Sequence, residues 1–181
     1  MKSEDKSQLL NTLETTVNKH LQQALLLQNK HTDVLLKPAA GGGWSIAQCL
    51  EHLNRYGNYY LPAIQGQIAK SKRQSSIGTF TSTWLGRYFT NMMNPQTGKK
   101  KYKAFKEYIP HAALDAHAVV AEFISQQEKL LALIEQSRNV DLNKVKIPIS
   151  IARFIRLRLG DVFQFIIAHD ERHLQQAARN E

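Results

Sequence analysis

Apolar residues return at the spacing of a helix through four long stretches of this 181-residue chain, and no stretch of similar length alternates like a half-buried strand. In residues 7–36 the stripe runs through Leu9, Leu10, Leu13, Val17, Leu21 and the group Leu25, Leu26 and Leu27. Pro38 and the glycines Gly41, Gly42 and Gly43 then break the chain, because proline fixes its own dihedral and glycine turns where other residues do not. Ser45 followed by Gln48 reads as a capping box that opens a second helix. Its buried face is Ile46, Cys49, Leu50, Leu53 and Tyr60, and it can pass Pro62 only with a kink or a locally replaced hydrogen bond. In residues 114–136, Val120, Ile124, Gln127, Leu131 and Ile134 share one line, with Val119, Phe123 and Leu130 beside it and Gln126 and Glu128 adding polar character. The last helix is expected to begin near Gly160, with Asp161 as its N-cap, and to run toward Arg179. Such helices bury their stripes against one another. The expected fold is all-α: a single domain over 1–181, built as a four-helix bundle with a tight first link and a long crossover between helices 2 and 3.

The crossover, residues 70–110, is loosely patterned. Residues 71–82 are rich in serine and threonine, Gly78 and Gly86 interrupt, and Asn94-Pro95-Gln96-Thr97-Gly98 reads as turn. Between them residues 84–93 form a candidate short helix presenting Trp84, Leu85, Tyr88, Phe89 and Met92, either as a plug beneath a long connection or as the wall of a substrate pocket. A second irregular link, 139–150, contains Val145-Lys146-Ile147-Pro148-Ile149-Ser150, which alternates like an extended segment that Pro148 should keep from joining a sheet.

Composition removes several classes. A lone cysteine, Cys49, excludes a disulfide framework and any multi-cysteine zinc site, and it fits a reducing cytoplasm. The opening residues lack the order of a signal peptide and no apolar run can cross a bilayer, so a cytoplasmic protein with no membrane partner is expected. The formal charge of +9 raises nucleic acid. The cations, however, fall into small groups: Lys70, Lys72 and Arg73; Lys99, Lys100, Lys101, Lys103 and Lys106 with Tyr102 and Phe105; and Arg153, Arg156 and Arg158. With no nucleic-acid motif beside them, they read as solvated loops.

The chemistry concentrates in residues 163–176, where His169 and His173 lie four apart. On a helix that spacing stacks two imidazoles, so both ring nitrogens can aim at one point. His52, one turn from Gln48 and from Tyr56, is the candidate third ligand from the facing helix. Three neutral imidazoles leave coordination positions open, the arrangement of a catalytic rather than a structural site, and zinc is the default with nickel, iron and manganese also compatible. Asp170 and Glu171 should project away from the side the histidines share, and neither is nominated as a base. His20 and His31 are expected at the surface or rim, His111 and His117 are assigned no role, and Cys49 reads as a small core residue.

The combination Trp44-Ser45-Ile46-Ala47-Gln48-Cys49-Leu50-Glu51-His52-Leu53, a loose basic crossover, a third helix, then Leu159-Gly160-Asp161-Val162-Phe163 and His169-Asp170-Glu171-Arg172-His173 resembles the DinB-like superfamily, the DinB/YfiT-like metalloenzymes. That resemblance covers most of the chain. It implies a four-helix bundle with a long crossover, often dimeric, whose three metal-binding histidines match His52, His169 and His173. It also implies thiol-dependent transferases and isomerases among the relatives, using low-molecular-weight thiols such as bacillithiol or mycothiol. Two readings are carried forward. In one, a metal-bound thiolate or water attacks a small electrophile held by the crossover, Tyr56 and Tyr59, making the protein a transferase or hydrolase and a homodimer. In the other, it is a non-enzymatic stress-response or binding module whose metal is structural or vestigial.

Overall fold

The computed structural model describes residues 3–40, 42–72, 78–98 and 103–180. The bundle is made by α1 (Lys6–Gln28), α3 (Ile46–Lys70), α5 (Ala116–Gln136) and α6 (Leu159–Ala178), with α2 (Thr32–Leu36) in the first link and α4 (Trp84–Met93) in the crossover. It is the all-α four-helix bundle with a long connection that the periodicity calls for. α1 packs on α5 and α6, and α3 packs on the same two helices from the opposite side. One apolar cluster joins the end of α1, the start of α3, the start of α5 and the end of α6 through Leu27, Leu50, Phe123 and Leu174. α1 and α6 therefore run one way and α3 and α5 the other. A larger cluster fills the opposite end with Leu10, Ile64, Ile134 and Phe163.

Local chemistry sets the helix ends. The Ser45 hydroxyl accepts from the Gln48 N–H while Gln48 Oε1 accepts from the Ser45 N–H, the reciprocal pair read from the sequence. α3 then passes Pro62 on its exposed face without ending. The first helix is shorter than its apolar stripe suggests. It stops at Gln28, where the Asn29 side chain turns back to donate to the Leu25 carbonyl, and the chain re-enters helix only at Thr32. Leu25 and Leu26 consequently lie outside the core, 37 % and 69 % exposed, and Ala24 and Leu27 take the buried positions.

Two small antiparallel pairs accompany the helices. β1 (Ser3–Asp5) pairs with β2 (Thr79–Thr81), tying the start of the chain to the crossover. β3 (Lys146–Ile149) pairs with β4 (Ala152–Arg158) although Pro148 was expected to forbid it. A two-stranded ribbon is all edge, so an absent N–H costs little there. The register shifts between Pro148 and Ile149, and the Pro148 carbonyl accepts from the Tyr59 hydroxyl.

Asp161 is not the N-cap of α6; Arg158 holds that position and α6 starts at Leu159. Asp161 sits in the first turn, fully buried, and accepts from Ser82 Oγ at 2.5 Å, Thr83 Oγ1 at 2.7 Å and Thr83 N–H at 3.2 Å. Thr83 in turn caps α4. Gly86 is required at this contact, since a Cβ there would run into the Asp161 carboxylate. The carboxylate thus pins the start of α4 to α6 and fixes where the crossover lies.

Candidate metal centre

A polar layer crosses the bundle between the two apolar clusters. Gln127 Nε2 donates to Asp170 Oδ2 at 3.0 Å, joining α5 to α6, and Gln126 Nε2 donates to the Asn54 carbonyl at 3.1 Å, joining α5 to α3. Gly57 makes the second bond possible, because any Cβ there would overlap the Gln126 amide. Both glutamines are buried, Gln127 on the line that the periodicity gives it and Gln126 in place of the polar face expected of it. His20 is likewise no rim residue: it is fully buried, and its Nε2 lies 2.8 Å from Glu171 Oε2. With Asp170 engaged by Gln127 and Glu171 by His20, neither carboxylate is turned to the shared side of His169 and His173.

That shared side faces His52. His52, His169 and His173 each offer one ring nitrogen, and the three atoms lie within 4.8 Å of one another. His52 and His169 are 3 % exposed, and His173 is only partly covered. The second nitrogens of His52 and His173 are already used. His52 Nδ1 is 2.6 Å from the Tyr108 carbonyl, which can only accept, so Nδ1 carries the proton and Nε2 presents a lone pair inward. His173 Nδ1 is 3.1 Å from Gln176 Oε1, leaving its Nε2 free in the same way. Such outer bonds fix tautomer and ring orientation in metal sites.

His52 Nε2 meets His169 Nε2 at 3.2 Å. Ligand nitrogens about 2.0–2.1 Å from a tetrahedral ion stand about 3.3 Å apart, so this pair already has the spacing that an ion between them needs. Burial lowers the pKa of all three histidines. For His173 burial and the neighbouring His52 bring it to about 3, and for His169, shielded by burial and beside both other rings, it falls well below the ordinary value. Each imidazole is neutral near pH 7, the form that binds metal. The donor set therefore fits a divalent ion.

Aromatic walls hold these rings. Trp44 stacks on His173 at 5.8 Å and tilts against His52 at 4.9 Å, while Tyr56 and Phe165 pack on His169 from one turn away on α3 and α6. Arg172 donates to the Gly98 carbonyl at 2.7 Å, holding the end of the turn after α4 against α6. Phe89 and Met92 line a cavity beside Tyr56 and Phe165, whereas Trp84 and Tyr88, 70 % and 54 % exposed, face outward and fill neither of the roles considered for them. Cys49 is fully buried with its thiol pushed up to about 12 by burial, the state of an inert core residue. Of the three basic groups, Arg73 and Lys99 to Tyr102 lie outside the described residues. Arg153 stands over the Tyr59 ring and Arg158 bonds the Thr81 carbonyl.

Two contributors escaped the sequence. Tyr108 acts through a backbone carbonyl, which leaves no side-chain signature. Gln176, one turn after His173, was legible as a partner at helical spacing.

A helical bundle with three convergent, pre-oriented imidazoles in its polar layer defines a class, the bundles that can carry a histidine-bound ion. The DinB superfamily profile matches residues 16–177, and the chain belongs to that superfamily. YfiT from Bacillus subtilis, described as a probable metal-dependent hydrolase with an unusual four-helix bundle topology, superposes with a TM-score of 0.54 at 13 % identity, over 97 % of this chain and 85 % of that one. No curated protein matches the chain. Among the described residues no helix is long and apolar enough to cross a membrane.

Proposed function

We propose that this protein is a metal-dependent enzyme acting on a small molecule, with one divalent ion, zinc by preference, held by His52, His169 and His173. Nickel, manganese and iron suit the same donors. The observation that carries the reading is the Tyr108 carbonyl bond at His52 Nδ1, which commits Nε2 to the point where the other two rings converge. A divalent ion among three neutral imidazoles keeps its charge and lowers the pKa of a coordinated water or thiol toward neutrality.

The chain's own part is to orient and to exclude. Tyr108 and Gln176 hold the rings, Trp44 closes one side, and Tyr56 and Phe165 close another, so a reacting group meets the site in a water-poor setting. Transfer of a low-molecular-weight thiol to an electrophile and hydrolysis are the two reactions this supports; the family resemblance brings in the first, and the description of YfiT as a probable metal-dependent hydrolase the second. A homodimer belongs to the same reading, with exposed Phe154 and Trp84 as apolar surface available to a second copy. The test is turnover of a chromogenic haloarene and of a chromogenic ester by metal-loaded protein, with and without a small thiol. Thiol-dependent turnover that disappears in His169→Ala supports transfer, and thiol-independent ester cleavage supports hydrolysis. Fully loaded protein inert in every arm would contradict the enzymatic reading.

A further inference from the structure

Three side chains of α3 hold the segment 105–111 that leads toward α5. Gln48 Nε2 donates to the His111 carbonyl at 3.4 Å, His52 Nδ1 to the Tyr108 carbonyl at 2.6 Å and Arg55 Nη1 to the Glu107 carbonyl at 2.9 Å. As α3 advances, its partners step backward, so the segment runs antiparallel along one helix face in a ladder of three rungs. The metal ligand His52 is the middle rung. The outer donors are themselves held: Gln48 Oε1 accepts from the Ser45 N–H, and Arg55 Nε donates to Glu51 Oε1 at 3.0 Å one turn back. They are unequal, because the Gln48 bond is long and neutral whereas the Arg55 bond is of ordinary length and charge-assisted.

We infer that Arg55 is a positioning residue for the metal centre: it fixes Glu107, and through it the Tyr108 carbonyl that commits His52 Nε2 to the ion. This rests on the metal-dependent reading above and adds to it a residue that acts through another. Glu107 and Tyr108 share a single 3-10 turn, Lys106–Tyr108, so the place of one carbonyl sets that of the next. A neutral imidazole has one proton for two nitrogens. With the Tyr108 carbonyl in reach the proton stays on Nδ1, and without it the proton can move to Nε2 and occupy the lone pair that the ion needs. The side chain of Arg55 is half-buried, and its aliphatic stem can be kept while its donors are removed.

The test is made on the full chain with two readouts. Nitrogen-15 NMR of metal-free protein shows which ring nitrogen of His52 carries the proton, and competition with a chromogenic chelator gives the zinc affinity. Wild type should show one His52 tautomer, protonated at Nδ1. Arg55→Met should mix the two tautomers and weaken zinc binding about tenfold while the helical circular dichroism persists. Arg55→Lys, which can still donate to the Glu107 carbonyl, should stay within about threefold of wild type. Asp161→Ala loosens the crossover at its other end and should match wild type in both readouts. Arg55→Met with a single Nδ1–H tautomer and zinc affinity within about twofold of wild type overturns the assignment. An equal loss in Asp161→Ala overturns it too, since the effect would then be general loosening of the crossover. Wild type that binds no zinc overturns the metal reading, and the tautomer comparison still decides whether Arg55 positions His52.

Discussion

The two halves of α6 differ sharply in what they bury. Its first half places Val162, Phe163, Phe165, Ile166 and Ile167 in the larger apolar cluster, where each side chain gains by leaving water. Its second half carries His169, Asp170, Glu171 and His173 into the polar layer before Leu174 and Ala177 rejoin apolar surroundings. Buried polar groups stabilise a fold only when satisfied, and this layer is not fully so: His20 Nδ1, Asn54 Oδ1 and Gln127 Oε1 are buried without a partner. Stability therefore resides mainly in the apolar ends.

The comparison can be broken or sharpened by a graded set of measurements. The largest effect is expected in the apolar half: Phe163→Ala should cost about 3–5 kcal/mol in denaturant unfolding, with the histidine cluster left chemically intact. A cost under about 1 kcal/mol would remove the claim that this end carries the fold.

Acid should act on the polar half of metal-free protein. Burial lowers the three folded-state histidine pKa values from the ordinary 6.5, so below that pH the unfolded chain takes up protons that the folded chain refuses. Stability is full above about pH 6.5 and falls as the pH drops, by up to ~1.4 kcal/mol per pH unit for each histidine. Asp170, pushed up to about 6 by burial, opposes this between that pH and its ordinary 3.8, because there the folded state holds the extra proton. Unfolding free energies collected from pH 7.5 to 4 should therefore slope downward, and Asp170→Asn should steepen the fall. A flat profile would mean that the imidazoles are not shielded.

A smaller loss is expected where the crossover is pinned. Asp161→Ala leaves Ser82 and Thr83 donors without their acceptor and should cost about 1–3 kcal/mol, read as a lower thermal midpoint. Least of all should follow from Phe154→Ser on the hairpin, where the ring is 89 % exposed, with a change within about 0.5 kcal/mol. A larger loss there, dependent on protein concentration, would be the signature of a dimer through this surface.

Much of this contrast was legible in the sequence because it rests on local rules. The Ser45–Gln48 capping box, the four-residue spacing of His169 and His173, and the short helix Trp84–Met93 each follow from neighbours along one helix. His52 could be nominated for the same reason, since its place on the buried face of α3 is set by periodicity. What stayed hidden depends on partners far away in the chain. His20 is buried because Glu171 of α6 meets it, Gln127 because Asp170 does, and Asp161 serves α4 rather than its own helix. The hairpin escaped because its Pro148 reads as a barrier to pairing, which it is inside a broad sheet and is not in a two-stranded ribbon.

The central claim is that three imidazoles from α3 and α6 hold a single ion, and metal content tests it most directly. Elemental analysis of tag-free protein, after purification and after titration with zinc, is made on wild type and on His52→Ala, His169→Ala and His173→Ala, with circular dichroism on each. The expected result is about one metal per wild-type chain and at least a tenfold loss in every variant while the helical spectrum persists. Wild-type protein that takes up no metal, or variants that keep it, would contradict the claim.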